Sequence, residues 1–129
     1  MFVKSNTIDF VSDFTNMKVS QSSVLSPVMA QQLAQVGQLL ARLRQARHIK
    51  QADAAVRAGL SRNTAYRIEK GDPGLAFGQV LRYLDAISPG ATLASLLAET
   101  DPALKALQSR EATRRVRDMS ASELQSLDF

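Results

Sequence analysis

Between Arg42 and Lys70 the sequence gathers Arg42, Arg44, Arg47, Lys50, Arg57, Arg62, Arg67 and Lys70 against only Asp53 and Glu69. The stretch nets +6, and the rest of the chain nets −2. Guanidinium and ammonium groups at this density suit a polyanionic partner. The competing reading is a solvated helical surface. Catalytic chemistry is poorly served. The grouped titratable residues are His48, Asp53, Glu69 and Asp72. They form no HExxH helix, no glycine-rich phosphate loop and no nucleophile with a base, so the chain does not read as an enzyme. There is no cysteine, and His48 is the single histidine. Thiolate-bound zinc, iron–sulfur clusters and disulfides are therefore excluded. No metal or cofactor is expected.

The frame for these residues is small. The chain has 129 residues and a mass of 14.1 kDa, with a net charge of +4 and a pI near 9.9. That suits one domain with extensions. Apolar residues make up 45% of the chain, yet no run is long enough for a membrane span. The first residues lack the charged-then-apolar pattern of a secretory signal. A cytoplasmic protein is expected, nucleoid-associated should its polyanionic partner be DNA. Met17 is an alternative translation start.

The elements that must position the basic stretch read as helices. Residues 1–26 are polar with scattered aromatics and are expected to be a weakly ordered extension. Ser26-Pro27 is a helix start, with a side-chain cap followed by proline at the first helical position. Leu33, Val36, Leu40 and Leu43 then form one apolar stripe. This helix should end near Arg47, with His48 in a left-handed conformation. Gln51–Ala58 is a short alanine-rich helix. Gly59-Leu60-Ser61 breaks it: Gly59 permits positive φ, Leu60 plugs the core and Ser61 caps the next helix. Arg62–Lys70 is that helix, stopped by Gly71-Asp72-Pro73-Gly74. Two short helices joined by such a turn have the geometry of a helix-turn-helix. Further helices are predicted over Leu75–Ala86 and Thr92–Ala98, and again from Asp101-Pro102. Ser120-Ala121-Ser122-Glu123 reads as a capping box before a last short turn. No strand is evident, so the expected fold is all-α.

Val36-Gly37, Leu40, Leu43-Arg44, Ile49-Lys50-Gln51, Ala55, Ala58-Gly59-Leu60-Ser61 and Ile68-Glu69-Lys70-Gly71 together resemble the Cro/C1-type, or XRE, helix-turn-helix family. The likeness implies a lambda-repressor-like bundle of about five helices over residues 27–99, with a helical appendage over 100–129. Ala54 and Ala65 stand where larger apolar residues are usual, and His48 replaces a frequent glycine. The core should then be small at this point, with Phe77 available to fill it.

In this motif the start of the second helix enters the major groove and reaches base edges. By resemblance Arg62, Asn63, Thr64, Tyr66 and Arg67 are the base-contacting residues, the alternative for Tyr66 being a place along the helix surface. Arginine can fork onto guanine, asparagine can pair with adenine and threonine can touch a thymine methyl. Gln51 is expected to cap the first helix of the pair and meet a phosphate. Arg44, Arg47, Lys50, Ser61 and Lys70 are the other phosphate candidates. Glu69 is read as an internal salt-bridge partner of Arg44, and Arg57 as solvated surface.

Such a motif implies a homodimer on a palindromic double-stranded operator. Leu84, Ile87, Leu93, Leu96 and Leu97 are the candidate interface residues, the alternative being that they complete the protomer's own core. The string Arg67–Gly74 and the tail Arg114–Arg117, Ser120–Leu124 and Leu127–Phe129 are similar to HipB-type antitoxins. That likeness implies an autoregulating repressor with a HipA-like kinase toxin as partner, held by Leu124, Leu127 and Phe129. A stand-alone XRE-type repressor is the alternative. RNA binding ranks third, since no aromatic stacking platform is visible.

Overall fold

The computed structural model describes residues 19–127, with side chains to residue 118. These residues form seven helices and no strand. They are α1 (Gln21–Val24), α2 (Pro27–Ala46), α3 (Gln51–Ala58), α4 (Arg62–Glu69), α5 (Phe77–Ile87), α6 (Leu93–Leu97) and α7 (Pro102–Leu127). Among the described residues no helix is long and apolar enough to cross a membrane. Most of the expected extension over residues 1–26 lies outside the described residues.

Local chemistry sets the helix ends. Ser26 accepts from the backbone N–H of Met29 at 3.2 Å, and Pro27 opens α2. At the other end His48 adopts φ 58°, as expected, and Ile49 N–H donates back to the Arg44 carbonyl. Gly59 closes α3 at φ 68°. Ser61 caps α4 by accepting from Thr64 N–H. The turn after α4 runs longer than the sequence suggests, so α5 starts at Phe77 and leaves Leu75 in the loop. There the Gln79 side chain accepts from Ala76 N–H, since alanine has no side-chain cap of its own. Asp101 begins α7 by accepting from Ala103 N–H at 2.8 Å.

The core brings together Leu40 and Leu43 of α2, Ala54, Ala55 and Ala58 of α3, Ala65 and Ile68 of α4, and Tyr83, Leu84 and Ile87 of α5. Leu96 and Leu104 complete it from α6 and α7. Alanines on α3 and α4 keep the two helices of the motif close, and α5 packs most extensively against α3. The bulk missing at those alanines comes from Tyr83, which is fully buried. Phe77 does not supply it: it stands 61% exposed at the first position of α5. Position along the helix, not register, explains the exchange. Residue 77 lies on the same side of α5 as Leu84, seven residues on, but at the first turn, where it borders an open groove instead of the buried cluster at 83, 84 and 87.

Two further expectations are corrected. Leu84, Ile87 and Leu96 are buried in the protomer's own core, so they cannot form an intermolecular surface. Of the five interface candidates, Leu97 is exposed and Leu93 half-buried. The chain from Pro102 also does not break at Ser120-Ala121-Ser122-Glu123. No glycine or proline interrupts it after Pro102, and a capping sequence within a continuing helix has no free N–H groups to cap. The side chains of Leu124 and Leu127, and all of Phe129, lie outside the described residues.

The appendage begins inside the fold. Leu104 is 1% exposed. Arg47 of the α2 C-cap pairs with Asp101 at 2.7 Å, and Arg42 pairs with Glu111 at 3.0 Å. The first turns of α7 are thus part of the core that holds α2. Leu104→Ala should destabilise the protein by about 2–5 kcal/mol, the range for an aliphatic side chain deleted from a core. Phe77→Ala should change stability by less than about 0.5 kcal/mol, as at an exposed site. Urea unfolding midpoints of the two variants check this. Equal losses would contradict the packing described.

Candidate nucleic-acid interface

Helix α4 is held at its far end and presented at its near end. Glu69, its last residue, accepts Arg44 Nε at 3.0 Å and Nη2 at 2.9 Å from α2. It also accepts Gln51 Nε2 at 3.0 Å from α3 and the Tyr83 hydroxyl at 2.5 Å from α5. Burial pushes the Glu69 carboxyl up, but hydrogen bonds from Arg44, Tyr83 and Gln51 outweigh it and hold the group below its ordinary value. Burial and the bond to Glu69 push the Tyr83 hydroxyl well above its usual range. Four helices therefore meet on one ionised carboxylate.

A second contact fixes how closely α4 approaches α2. A Cβ on Gly37 would lie 2.5 Å from the Glu69 carbonyl oxygen. A Cβ on Gly71 would lie 2.6 Å from the Leu33 carbonyl oxygen, and Gly71 also holds φ 74°. Glycine is required at both positions because backbone meets backbone there.

This clamp leaves the near end of α4 open. Arg62, Asn63 and Tyr66 are exposed, Thr64 and Arg67 half-buried, and Ala65 and Ile68 face the core. The five residues expected on the outward face are therefore brought together on one helix. Ser61 shares a 2.8 Å hydroxyl–hydroxyl hydrogen bond with Thr64, which leaves the Thr64 methyl as its freer group. Lys70 lies with Nζ 5.4 Å from the centre of the Tyr66 ring, a cation–π distance.

The phosphate candidates divide. Lys50, at the N-cap of α3, is exposed, as are Ser61 and Lys70. Arg44 is not available: Nε and Nη2 bind Glu69, Nη1 binds the Ile49 carbonyl, and the side chain is 14% exposed. Its pairing with Glu69 is the one expected. Arg47 is turned to Asp101. Gln51 does not cap α3, since Lys50 holds that position; its side-chain amide is tied to Glu69. The common cause is a carboxylate supplied by a distant element, which the local sequence around each basic residue does not reveal.

Three contacts have no counterpart in the motif pattern. Arg67 donates Nε to Asp72 Oδ2 at 2.7 Å, just beyond the helix end. Arg82 Nη2 donates to the Ala58 and Gly59 carbonyls, at 2.8 and 3.1 Å, and so satisfies the end of α3. Tyr83 reaches Glu69 from α5. The spacing Arg67 to Asp72 falls outside helical pairing at three or four residues, so only the turn geometry brings the two together.

A family model described as a helix-turn-helix domain matches residues 35–96. No curated protein and no solved structure matches the chain. The matched span runs from α2 through α6 up to Leu96 and contains both short helices, the turn between them and the Glu69 clamp.

The clamp has a pH signature. Glu69 titrates lower in the folded protein than in the unfolded chain, so its stabilisation is complete above the unfolded pKa and is lost as pH falls through the folded pKa. The urea midpoint should hold from neutral pH down to the ordinary carboxylate range and then fall. Glu69→Gln should lower stability at neutral pH by on the order of 3 kcal/mol, because it leaves Arg44 buried without its counter-charge. It should also make the acid decline shallower, while Asp72 and Asp101, which are depressed too, keep some of it. An unchanged pH profile in this variant would refute the role given to Glu69.

Proposed function

Because residues 35–96 form a helix-turn-helix domain, we propose that the protein is a sequence-specific transcriptional repressor that reads duplex DNA as a homodimer. The observation that carries this reading is the outward face of α4, where Arg62, Asn63 and Arg67 converge on a helix immobilised from behind. A helix of this kind fits the major groove, whose base edges offer acceptor pairs for arginine and donor–acceptor pairs for asparagine. Thr64 and Tyr66 contribute contact at the edge of that surface. Lys50, Ser61 and Lys70 meet the flanking phosphates and set register rather than sequence.

A single helix reads too few base pairs to define an operator, and a two-fold dimer doubles them at half-sites roughly 34 Å apart. The surface that favours self-association is an open apolar groove of about 120 Å³ on α2, α5 and α6, lined by residues that include Leu33, Val36, Phe77, Val80 and Leu97. Leu97 and Phe77 are its exposed rim. An isologous contact across this groove needs only one self-complementary patch.

A finer reading makes this repressor the antitoxin of a HipA-like kinase. Its support is the tail likeness together with the course of α7, whose side chains from Ala112 to Asp118 are exposed beyond the last turn held by Glu111. A stand-alone repressor gains nothing evident from that extension.

Arg67→Ala should weaken binding to the preferred duplex by one to two decades, given roughly 1–3 kcal/mol per bidentate base contact. Lys50→Ala should weaken preferred and random DNA alike and reduce the slope of affinity against salt by about one phosphate. Fluorescence anisotropy on the two duplexes separates these effects. Equal loss on both duplexes for Arg67→Ala would refute the base contact. Leu97→Asp should lower affinity for a palindrome and leave that for an isolated half-site unchanged.

Deleting residues 121–129 should leave the melting temperature and DNA affinity in place and abolish binding to the toxin encoded beside the gene. Co-purification from the expressed native operon reads this out. A truncated protein that folds and still retains its partner at full affinity would overturn the antitoxin reading.

A further inference from the structure

Resting on the DNA-binding reading above, we propose that Asp72 is a positioning residue for base recognition, holding the Arg67 guanidinium so that its two terminal nitrogens face a guanine edge. Asp72 lies outside the helix that carries the base contacts, in the turn that follows it. Its two carboxylate oxygens are used separately. Oδ2 accepts Arg67 Nε at 2.7 Å, and Oδ1 accepts Gly74 N–H at 2.7 Å. The backbone bond anchors the carboxylate to the turn, and the anchored carboxylate anchors the arginine. The turn is itself fixed, because Gly71 packs backbone to backbone against Leu33 and Ala34 of α2. Arg67 is therefore tied through Asp72 to the rigid part of the domain.

The consequence follows from the shape of a guanidinium. Its Nε is committed, and the Arg67 side chain makes no other hydrogen bond among the described residues. The Nη1 and Nη2 ends remain, and together they match the O6 and N7 acceptors of guanine. The Arg67 side chain is still 40% exposed and Asp72 31% exposed, so the held group remains open to a ligand. A free arginine on a DNA-binding surface can turn away from an unsuitable base and bind a phosphate, which supports binding to any sequence. A tethered one cannot turn away. At adenine one of its donors meets the N6 amino group, and at cytosine a donor meets the N4 amino group, so the two-bond fork is lost at either base. The carboxylate also opposes the phosphate field, which lowers affinity for DNA lacking the matching base. Asp72 thus sharpens discrimination at one base position by holding the reader still.

The test uses the full chain and a randomised duplex library, with enriched sequences scored position by position. The wild-type protein should enrich a guanine at one position per half-site, and Arg67→Ala should erase that preference alone. Asp72→Asn keeps an oxygen for Gly74 N–H but removes the charge. It should cut the preference at the same position about ten-fold, leave the positions read by Arg62 and Asn63 intact, and raise affinity for random duplex a few-fold. Asp72→Glu keeps the charge and displaces the carboxylate. It should lose the preference at that position without the gain on random DNA. In an Arg67→Ala background neither change should alter base preference.

Arg67→Ala erasing the preference while both Asp72 variants retain it would overturn the positioning role and leave DNA readout standing. A higher preference in Asp72→Asn would also overturn it, by showing that the carboxylate competes with the base. A wild-type protein that enriches no sequence would overturn the DNA-readout reading and this proposal together.

Discussion

The orientation of α4 is set by the carboxylate at its C-terminal end. Glu69 receives donors from α2, α3 and α5 at once, and removing its carboxylate takes a partner from all three. Ion pairs in protein interiors seldom add much net stability, because desolvation offsets most of their attraction. Apolar side chains of similar volume could hold α4 in place as firmly. They would not fix its angle, since apolar contact is non-directional. Arg44 binds Glu69 through a planar two-donor edge, and Gln51 and Tyr83 approach from other sides. Directional bonds from three elements leave α4 little freedom to roll about its axis. A roll of one residue step, about 100°, would carry Arg62, Asn63 and Arg67 off the outward face.

The clamp works only because the backbones already touch. Gly37 and Gly71 bring α2 against the end of α4 at a separation that no Cβ would allow. Alanines at 54, 55, 58 and 65 draw α3 and α4 together in the same way. Small residues on this scale thin the core, and Tyr83 restores it. Its ring supplies the buried volume and its hydroxyl meets Glu69, so one side chain serves both packing and the polar clamp. Phenylalanine at 83 would fill the same space and leave Glu69 short of a donor.

The sequence was most legible where structure depends on neighbouring residues. Ser26-Pro27, His48, Gly59 with Ser61, and Asp101-Pro102 mark helix ends through caps and positive φ, and these are local effects. Pairing across the fold was much less legible. Arg42, Arg47 and Arg67 each find a carboxylate in a part of the structure that helical spacing does not reach: Glu111 and Asp101 through the docking of α7, Asp72 through the turn after α4. Arg44 was readable only because Glu69 belongs to the same recognised motif. The apolar residues after the motif show the same limit. Leu84, Ile87, Leu96 and Leu97 look alike in sequence, and only the packing of α5, α6 and α7 separates three core residues from one exposed leucine. Of the candidate interface, which residues of α4 turn away from the core could be read, but which arginines stay unpaired could not.

That redistribution of charge bears on how such a surface can find its ligand. The stretch from Arg42 to Lys70 looks strongly cationic in sequence, yet four of the chain's arginines are neutralised by Glu69, Asp72, Asp101 and Glu111. Lys50, Arg57, Arg62 and Lys70 make no ion pair among the described residues. A field from so few charges is weak beyond about 10 Å at ordinary ionic strength, so long-range attraction to a polyanion is modest. For the proposed DNA ligand, counterion release from a handful of phosphate contacts would give correspondingly limited non-specific affinity. Selectivity would then rest on the face of α4, where each well-placed bidentate contact would outweigh several solvated charges. Under that proposal, pairing the arginines internally would lower the affinity for every sequence while the clamp preserves the geometry that favours one.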